Sequence, residues 1–217
     1  MIKTDRLVLR NWIIEDAESM FKYAKNPEIG PMAGWPVHES IETSKMIINS
    51  FINHPYCFAI CLKEDLDHPI GCCELKTDSD MTNRSDELEL GYWLGQEFWG
   101  QGIMPEACKA LIDYGFNDLK LNAIWCGYYD GNNKSKRVQE KLGFIYHHTT
   151  EGIKLPLLNE VRTGHVSLMT RETWLKINNT MKYNENKIKY IPKADVEMMR
   201  EDIYERSGNK NHKKYRY

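Results

Sequence analysis

Two periodicities alternate along the chain. Residues 6–12, "RLVLRNW", alternate apolar and polar positions and predict a strand. In "EDAESMFKYAK" (15–25), Ala17, Met20, Phe21 and Ala24 fall on one helical stripe. "NPEIGPMAGWP" (26–36) carries two glycines and three prolines and predicts a loop. Residues 39–53 predict a second helix, with Ile41, Met46, Ile47 and Phe51 toward the core. "YCFAICL" (56–62) and "IGCCELK" (70–76) predict strands joined by the polar turn "KEDLDHP". A polar loop (78–86) leads to the strand "ELELGYWLG" (87–95), with Leu88 and Leu90 on one face.

The spacing then predicts a helix over 105–119, whose buried stripe is Ala107, Ala110, Leu111, Tyr114 and Leu119. "AIWCGYY" (123–129) predicts a strand. Residues 132–143 predict a short helix closed by Gly143, with Val138 and Leu142 inward. "FIYHHT" (144–149) and "GHVSLMT" (164–170) predict two more strands. The order β-α-α-β-β-β-α-β-α-β-β implies one mixed α/β (α+β) domain. Strands joined by short turns pair antiparallel, and the two flanking the 105–119 helix form a parallel crossover. The domain is expected to span residues 1–175. Residues 176–217 are an Asn/Lys-rich, polar and basic extension, in which "PKADVEMMREDIYERS" has the pattern of one added helix before a frayed end, "GNKNHKKYRY".

Composition narrows the classes. The 217 residues are 41% hydrophobic and 28% charged, as in globular proteins. A net charge of −2 gives no global basic field for nucleic acid. No apolar run reaches membrane-span length, and "MIKTDRLVLR" lacks the apolar core of a signal peptide, so no membrane partner and a cytoplasmic location are expected. The six cysteines form no C-x-x-C and sit in apolar segments, which fits buried thiols rather than a metal site. His147 and His148, adjacent on a strand, are expected to point to opposite faces.

One stretch carries chemistry: "EFWGQGIMPEA" (97–107), a glycine-alternating turn between a strand and a helix that Pro105 is expected to open. Helix N-termini present unpaired N–H groups and partial positive charge. The N–H groups of Gly100 to Met104 therefore suit a phosphate nest, although plain structural glycines would give the same pattern. Glu106 in the first turn suits the helix dipole but repels a phosphate if it points inward. Two phosphate motifs fail: no Lys-Ser/Thr follows Gly102 as a P-loop requires, and Pro105 replaces the third glycine of a dinucleotide fingerprint.

The surroundings decide between these readings. "LELGYWLGQEFWGQGIMPEACKALIDYGF", a strand, then "NNKSKRVQEKLGF" resembles the core of the GNAT acetyltransferases. With "TDRLVLRNW" and "SLMTRETW", residues 1–175 most resemble the branch of ribosomal-protein N-terminal (RimJ/RimL-like) acetyltransferases. The resemblance implies a mostly antiparallel sheet with one splayed parallel pair, and acetyl-CoA as cosubstrate without a metal. The family's pyrophosphate motif, Q/R-x-x-G-x-G/A, maps onto Trp99, Gly100, Gln101, Gly102, Ile103 and Met104. Trp99 replaces the Gln/Arg, and Met104 replaces a small residue and is expected to narrow the space over the phosphate. The pantetheine strand maps to Gly91, Tyr92, Trp93 and Leu94. Asn132 is implied to bond the pantetheine and Ser135 to lie near the sulfur.

Acetyl transfer to an amine needs a proton acceptor, a donor for the carbonyl oxygen and a donor for the leaving thiolate. A backbone N–H of residues 91–95 is placed for the oxygen. Many family members supply a tyrosine for the thiolate; that position is Gln139 here, and Ser135 is the expected substitute. Glu89 is the expected base through a water, the alternative being a paired carboxylate on an alternating strand. Tyr128 and Tyr146 are weaker acid/base candidates. Lys134, Lys136 and Arg137 are expected to face coenzyme A in part, and Trp35 to wall the acceptor site. The acceptor is a protein N-terminus or a small amine, which the acidic residues of 78–89 suit if it is cationic. Gln139 also keeps a non-catalytic acyl-CoA-binding module open. A homodimer is one assembly the sequence leaves open.

Overall fold

The computed structural model describes residues 1–183. Its frame is one eight-stranded sheet in the order β1-β2-β3-β4-β5-β6-β8-β7. The strands are β1 (Ile2–Lys3), β2 (Leu7–Asn11), β3 (Cys57–Leu62), β4 (Gly71–Lys76), β5 (Glu87–Leu94), β6 (Ala123–Tyr129), β7 (Ile145–Leu155) and β8 (Glu160–Thr170). The helices are α1 (Ala17–Ala24), α2 (Gly30–Ala33), α3 (Ile41–Ile52), α4 (Ile103–Asn117), α5 (Asn133–Leu142) and α6 (Arg171–Tyr183). All strand pairs are antiparallel except β5–β6, on either side of α4.

Strand alternation sorts side chains into two layers. On one face, Leu7, Leu9, Ile60, Leu75, Leu88 and Leu90 meet Ala107, Leu111 and Phe116 of α4. On the other, Trp12, Ala59, Cys61 and Cys72 meet Ala17, Met20 and Ala24 of α1 and Ile48 of α3. Arg10 and the buried Asp16 pair at 2.6 Å and tie β2 to the turn before α1. Ser40 caps α3, its hydroxyl accepting from the Thr43 N–H at 3.1 Å.

Several expectations shift. In α3 the buried positions are Ser44 and Ile48, whereas Met46 is 65% exposed and Ile47 37%. The run Met46-Ile47-Ile48 allows more than one helical phase, and packing on α1 selects Ile48. In α1, Phe21 is half-buried and Tyr23 takes the buried place. The 26–36 loop contains the one-turn α2. Helix α4 starts at Ile103, so Pro105 is its third residue. Its buried face is Ile103, Met104, Ala107, Cys108, Leu111, Ile112, Gly115 and Phe116, with Ala110, Tyr114 and Leu119 only partly buried beside it.

Strands β7 and β8 extend beyond 144–149 and 164–170 into a long hairpin. A register shift between Tyr146 and His148 bulges β7 at His147. The two imidazoles therefore do not diverge: their Nδ1 atoms stand 2.7 Å apart. Helix α6 was not expected; it carries Trp174 and Ile177 into the main core and runs past residue 175. The expected helix in "PKADVEMMREDIYERS" and the terminal "GNKNHKKYRY" lie outside the described residues.

Candidate active site

The parallel pair supplies an opening. Strands β5 and β6 pair only at Glu87–Ala123, Leu88–Ile124 and Glu89–Trp125. Beyond that, β5 stays with β4 up to Leu94, and β6 stays with β8 up to Tyr129. The two strands diverge, and a cleft of about 1230 Å³ runs through the gap from the turn before α4 to the face covered by α1 and α3. Its lining includes Leu90 to Leu94, Trp99, Gly100, Gly102 to Met104, Gly127 to Tyr129, Asn132 and Ser135.

At one end lies the turn before α4. Gly100 and Gly102 both hold left-handed backbone, φ 77° and 75°. Gly102 is the N-cap, and its carbonyl takes the first helical bond from the Glu106 N–H at 3.2 Å. Pro105 thus occupies a position with no intrahelical bond to lose. Among the described residues, the N–H groups of Gly100, Gln101 and Gly102 have no acceptor. Glu106 turns away: its carboxylate accepts from the Thr4 hydroxyl and from the Arg6 N–H and Nε at 2.9 and 2.7 Å. Burial pushes this carboxyl up, but the bonds from Thr4 and Arg6 outweigh it and hold it below the usual carboxylate range. Arg6 also donates to the Gln101 carbonyl at 3.0 Å, bringing positive charge to the turn.

The motif's side chains build the walls. Met104 is 5% exposed, and its sulfur accepts from the Cys108 thiol at 3.4 Å, so the side chain points into the core. Ile103 is also buried. The Trp99 indole N–H donates to the Leu94 carbonyl at 2.9 Å, and Lys134 Nζ stands 3.7 Å from the Trp99 ring centre. The Gln101 amide donates to the Glu97 carbonyl at 2.8 Å, leaving its backbone to face the turn. Of the other basic residues, Arg137 lines the cleft, whereas Lys136 reaches Glu140 at 4.0 Å.

Midway, α5 meets β5. The Tyr92 hydroxyl lies 2.8 Å from Ser135 Oγ and donates to the Ser135 carbonyl at 3.2 Å. Burial pushes the Tyr92 phenol well above its usual range, so it stays protonated. Gln139 is 2% exposed; its amide nitrogen donates to the Gly127 carbonyl at 3.1 Å and lies 3.4 Å from Ser135 Oγ. Its Oε1 is buried without a partner among the described residues. Asn132 caps α5 by accepting from the Ser135 N–H at 3.1 Å, and donates to the Met32 carbonyl at 3.2 Å. Its amide therefore fixes α5 to α2.

At the far end, Trp93 faces the second layer, 6.3 Å from both Trp12 and Trp35. Trp35 also leans on His38, whose Nδ1 is 2.8 Å from the Ser44 hydroxyl. Beside them stand Glu74, Lys76 and Glu89. Glu89 accepts from Lys76 Nζ at 3.0 Å and from the Ser79 hydroxyl at 2.7 Å. Burial pushes the Lys76 ammonium down, yet Glu89 and Glu74 outweigh it and hold it above its usual value. Asp80 and Met81 of the acidic loop close this side. The Tyr128 ring packs tilted against His165, centres 4.9 Å apart, at the rim, and Tyr146, 40% exposed, bonds Thr149. Glu74 and the Tyr92 hydroxyl are the groups the linear sequence did not offer: strand register places one, and α5 packing the other.

The family description "Acetyltransferase (GNAT) domain" matches residues 6–145. An N-acetyltransferase of Bacillus licheniformis named p20, itself uncharacterized, is 32% identical over 146 residues, 65% of this chain and 80% of that protein. A Bacillus subtilis protein named as a ribosomal N-acetyltransferase, YdaF, is 44% identical over 66 residues, 30% of this chain and 35% of that one. Among solved structures, the microcin C7 self-immunity acetyltransferase MccE, in complex with acetyl-CoA and AMP, superposes with a TM-score of 0.65 at 19% identity, over 77% of this chain and 93% of that one. The chain belongs to the GNAT acetyltransferase family, among relatives that include one named for ribosomal acetylation.

Proposed function

We propose that the protein transfers an acetyl group from acetyl-CoA to a primary amine, a protein N-terminus or a small-molecule amine, by direct attack in a ternary complex in the cytoplasm. The carrying observation is the continuous path from the anion nest, through the β5–β6 gap, to a face lined by carboxylates and tryptophans. The pyrophosphate sits on the N–H groups of residues 100–104, with Trp99 and Lys134 beside it. Pantetheine runs along Gly91 to Leu94, where β5 has parted from β6 but keeps its pairing with β4, with Asn132 at the near rim. The thioester then lies where Ser135 and Tyr92 meet. All six cysteines are unpaired thiols, which suits a reducing compartment.

The reaction balances simply. The amine nitrogen bonds the carbonyl carbon, the C–S bond breaks, and the thiolate takes up the proton that the nitrogen loses and leaves as coenzyme A. A backbone N–H of β5 donates to the carbonyl oxygen as charge develops. The Ser135 hydroxyl, held against Tyr92, donates to the thiolate in place of the family tyrosine. A hydrogen bond to a charged group contributes about 1.5–3 kcal/mol. Ser135→Ala therefore lowers kcat about tenfold to a hundredfold, with little change in the KM of acetyl-CoA. Free-thiol release over a panel of peptide N-termini and small amines tests both statements. Coenzyme A binding without thiol release from any acceptor would instead support a binding module.

A further inference from the structure

We propose that the carboxylate of Glu74 is the group that takes the proton from the attacking amine, with Glu89 anchoring Lys76 beside it. The inference rests on the acetyl-transfer reading and deepens it, naming the acceptor as a primary ammonium.

Three observations carry it. First, Glu74 of β4 is the cross-strand partner of Gly91. Gly91 is two residues past the last β5–β6 pair, Glu89–Trp125, so Glu74 stands where the gap opens. Second, a Cβ built on Gly91 would come within 2.9 Å of Glu74 Oε1. The carboxylate thus lies directly over the Gly91 backbone, in space that only a glycine leaves, and it lines the cleft. Third, the two carboxylates differ in commitment. Glu89 has an oxygen on Lys76 and the other on Ser79. Glu74 forms no ion pair with any described residue.

The charged and titratable surroundings of Glu74 agree. Lys76 on its own strand and His54 before β3 favour its ionised form, while Glu89 on β5 and Asp78 after β4 oppose it. The thiols of Cys57, Cys72 and Cys73 complete the neighbourhood. Burial is the largest influence and pushes the carboxyl above its ordinary range, toward the basicity a general base needs near neutral pH. In the step, R–NH₃⁺ gives one proton to Glu74 and becomes the neutral nucleophile. After the C–N bond forms, the nitrogen loses a second proton, which the thiolate takes as the C–S bond breaks. Glu74 then returns its proton to solvent.

The test is the pH dependence of kcat at saturating acetyl-CoA and amine, for the wild type, Glu74→Gln and Glu89→Gln. Wild-type kcat falls as pH falls through the Glu74 titration, since only the carboxylate accepts a proton. Glu74→Gln lowers kcat about a hundredfold, within the range for losing a general base, and flattens that limb. Glu89→Gln lowers the rate but keeps the limb. An acceptor of low basicity, already neutral at the assay pH, narrows the Glu74→Gln deficit; Glu74→Asp, which keeps a carboxylate, retains part of the rate with a limb. A Glu74→Gln profile parallel to wild type, or a limb lost in Glu89→Gln instead, would overturn the assignment while leaving acetyl transfer intact. Absence of turnover in the wild type would overturn the acetyl-transfer reading itself.

Discussion

Gly102→Val is expected to raise the Kd for acetyl-CoA about a hundredfold while leaving the protein folded. Gly102 sits at φ 75°, where an L-residue is strained by about 1–2 kcal/mol and a β-branched one more. Its new Cβ would make only ordinary contact with the Arg6 guanidinium that braces the turn, at 3.6 Å, so the penalty lies in the backbone. Relaxing that strain rotates the peptide and withdraws a backbone donor from the pyrophosphate, and such bonds to charged groups contribute about 1.5–3 kcal/mol. The lost donor alone, up to about 3 kcal/mol, corresponds to roughly two decades in affinity. Calorimetric titration with acetyl-CoA, beside far-UV circular dichroism, reads both quantities. A Kd within about twofold of wild type would mean that the turn does not hold the pyrophosphate.

Phe116→Ala is expected to remove about 3–5 kcal/mol of folding stability, a large part of the roughly 5–15 kcal/mol of a typical domain. Phe116 is fully buried on the sheet side of α4 and stacks on Trp174 of α6 at 5.2 Å. The Trp174 indole in turn donates to Asp113 at 2.8 Å, so α4 and α6 are coupled by packing and by a hydrogen bond. Losing the ring leaves a cavity between two helices and the sheet, and the closely packed surroundings collapse into it only partly. Urea unfolding gives the loss directly. A change below about 1 kcal/mol would show that α6 does not pack on this core.

Much of this was legible because β5 and α4 are long, regular elements. Leu88 and Leu90 announce the buried face of β5, and Gly100 and Gly102 announce a turn with special backbone. Other parts needed neighbours that a linear reading does not supply. Pro105 looked like the opening residue of α4, but the helix begins at Ile103 because Gly102 can adopt left-handed backbone at the N-cap. Ile47 looked like core; it lines the cleft, and its apolar character fits the cleft wall as well as an interior. Trp174 and Ile177 are hidden in a polar segment where two core residues stand beside an exposed Leu175, too few to set a helical stripe.

The chemistry divides along the same line. The unpartnered N–H groups of the turn and the β5 backbone depend on residues adjacent in sequence, so the motif points to them. Glu74 depends on β4–β5 register, and the Tyr92–Ser135 contact depends on how α5 packs over the gap. Met104 both lines the cleft beside the turn and accepts from the Cys108 thiol on the buried face of α4, a packing partner that the linear sequence does not name. Gln139, where the family tyrosine is missing, proved to be a buried side chain bonded to Gly127 within reach of Ser135.

The most direct test of the account is a single-turnover reaction with acetyl-CoA labelled in the acetyl group and an accepted amine. The account predicts label in the acceptor as an amide, an equal amount of free coenzyme A, and no labelled protein at any time before the amine is added. Label that stays on the thioester, or that first appears covalently on the protein, would contradict direct transfer in a ternary complex.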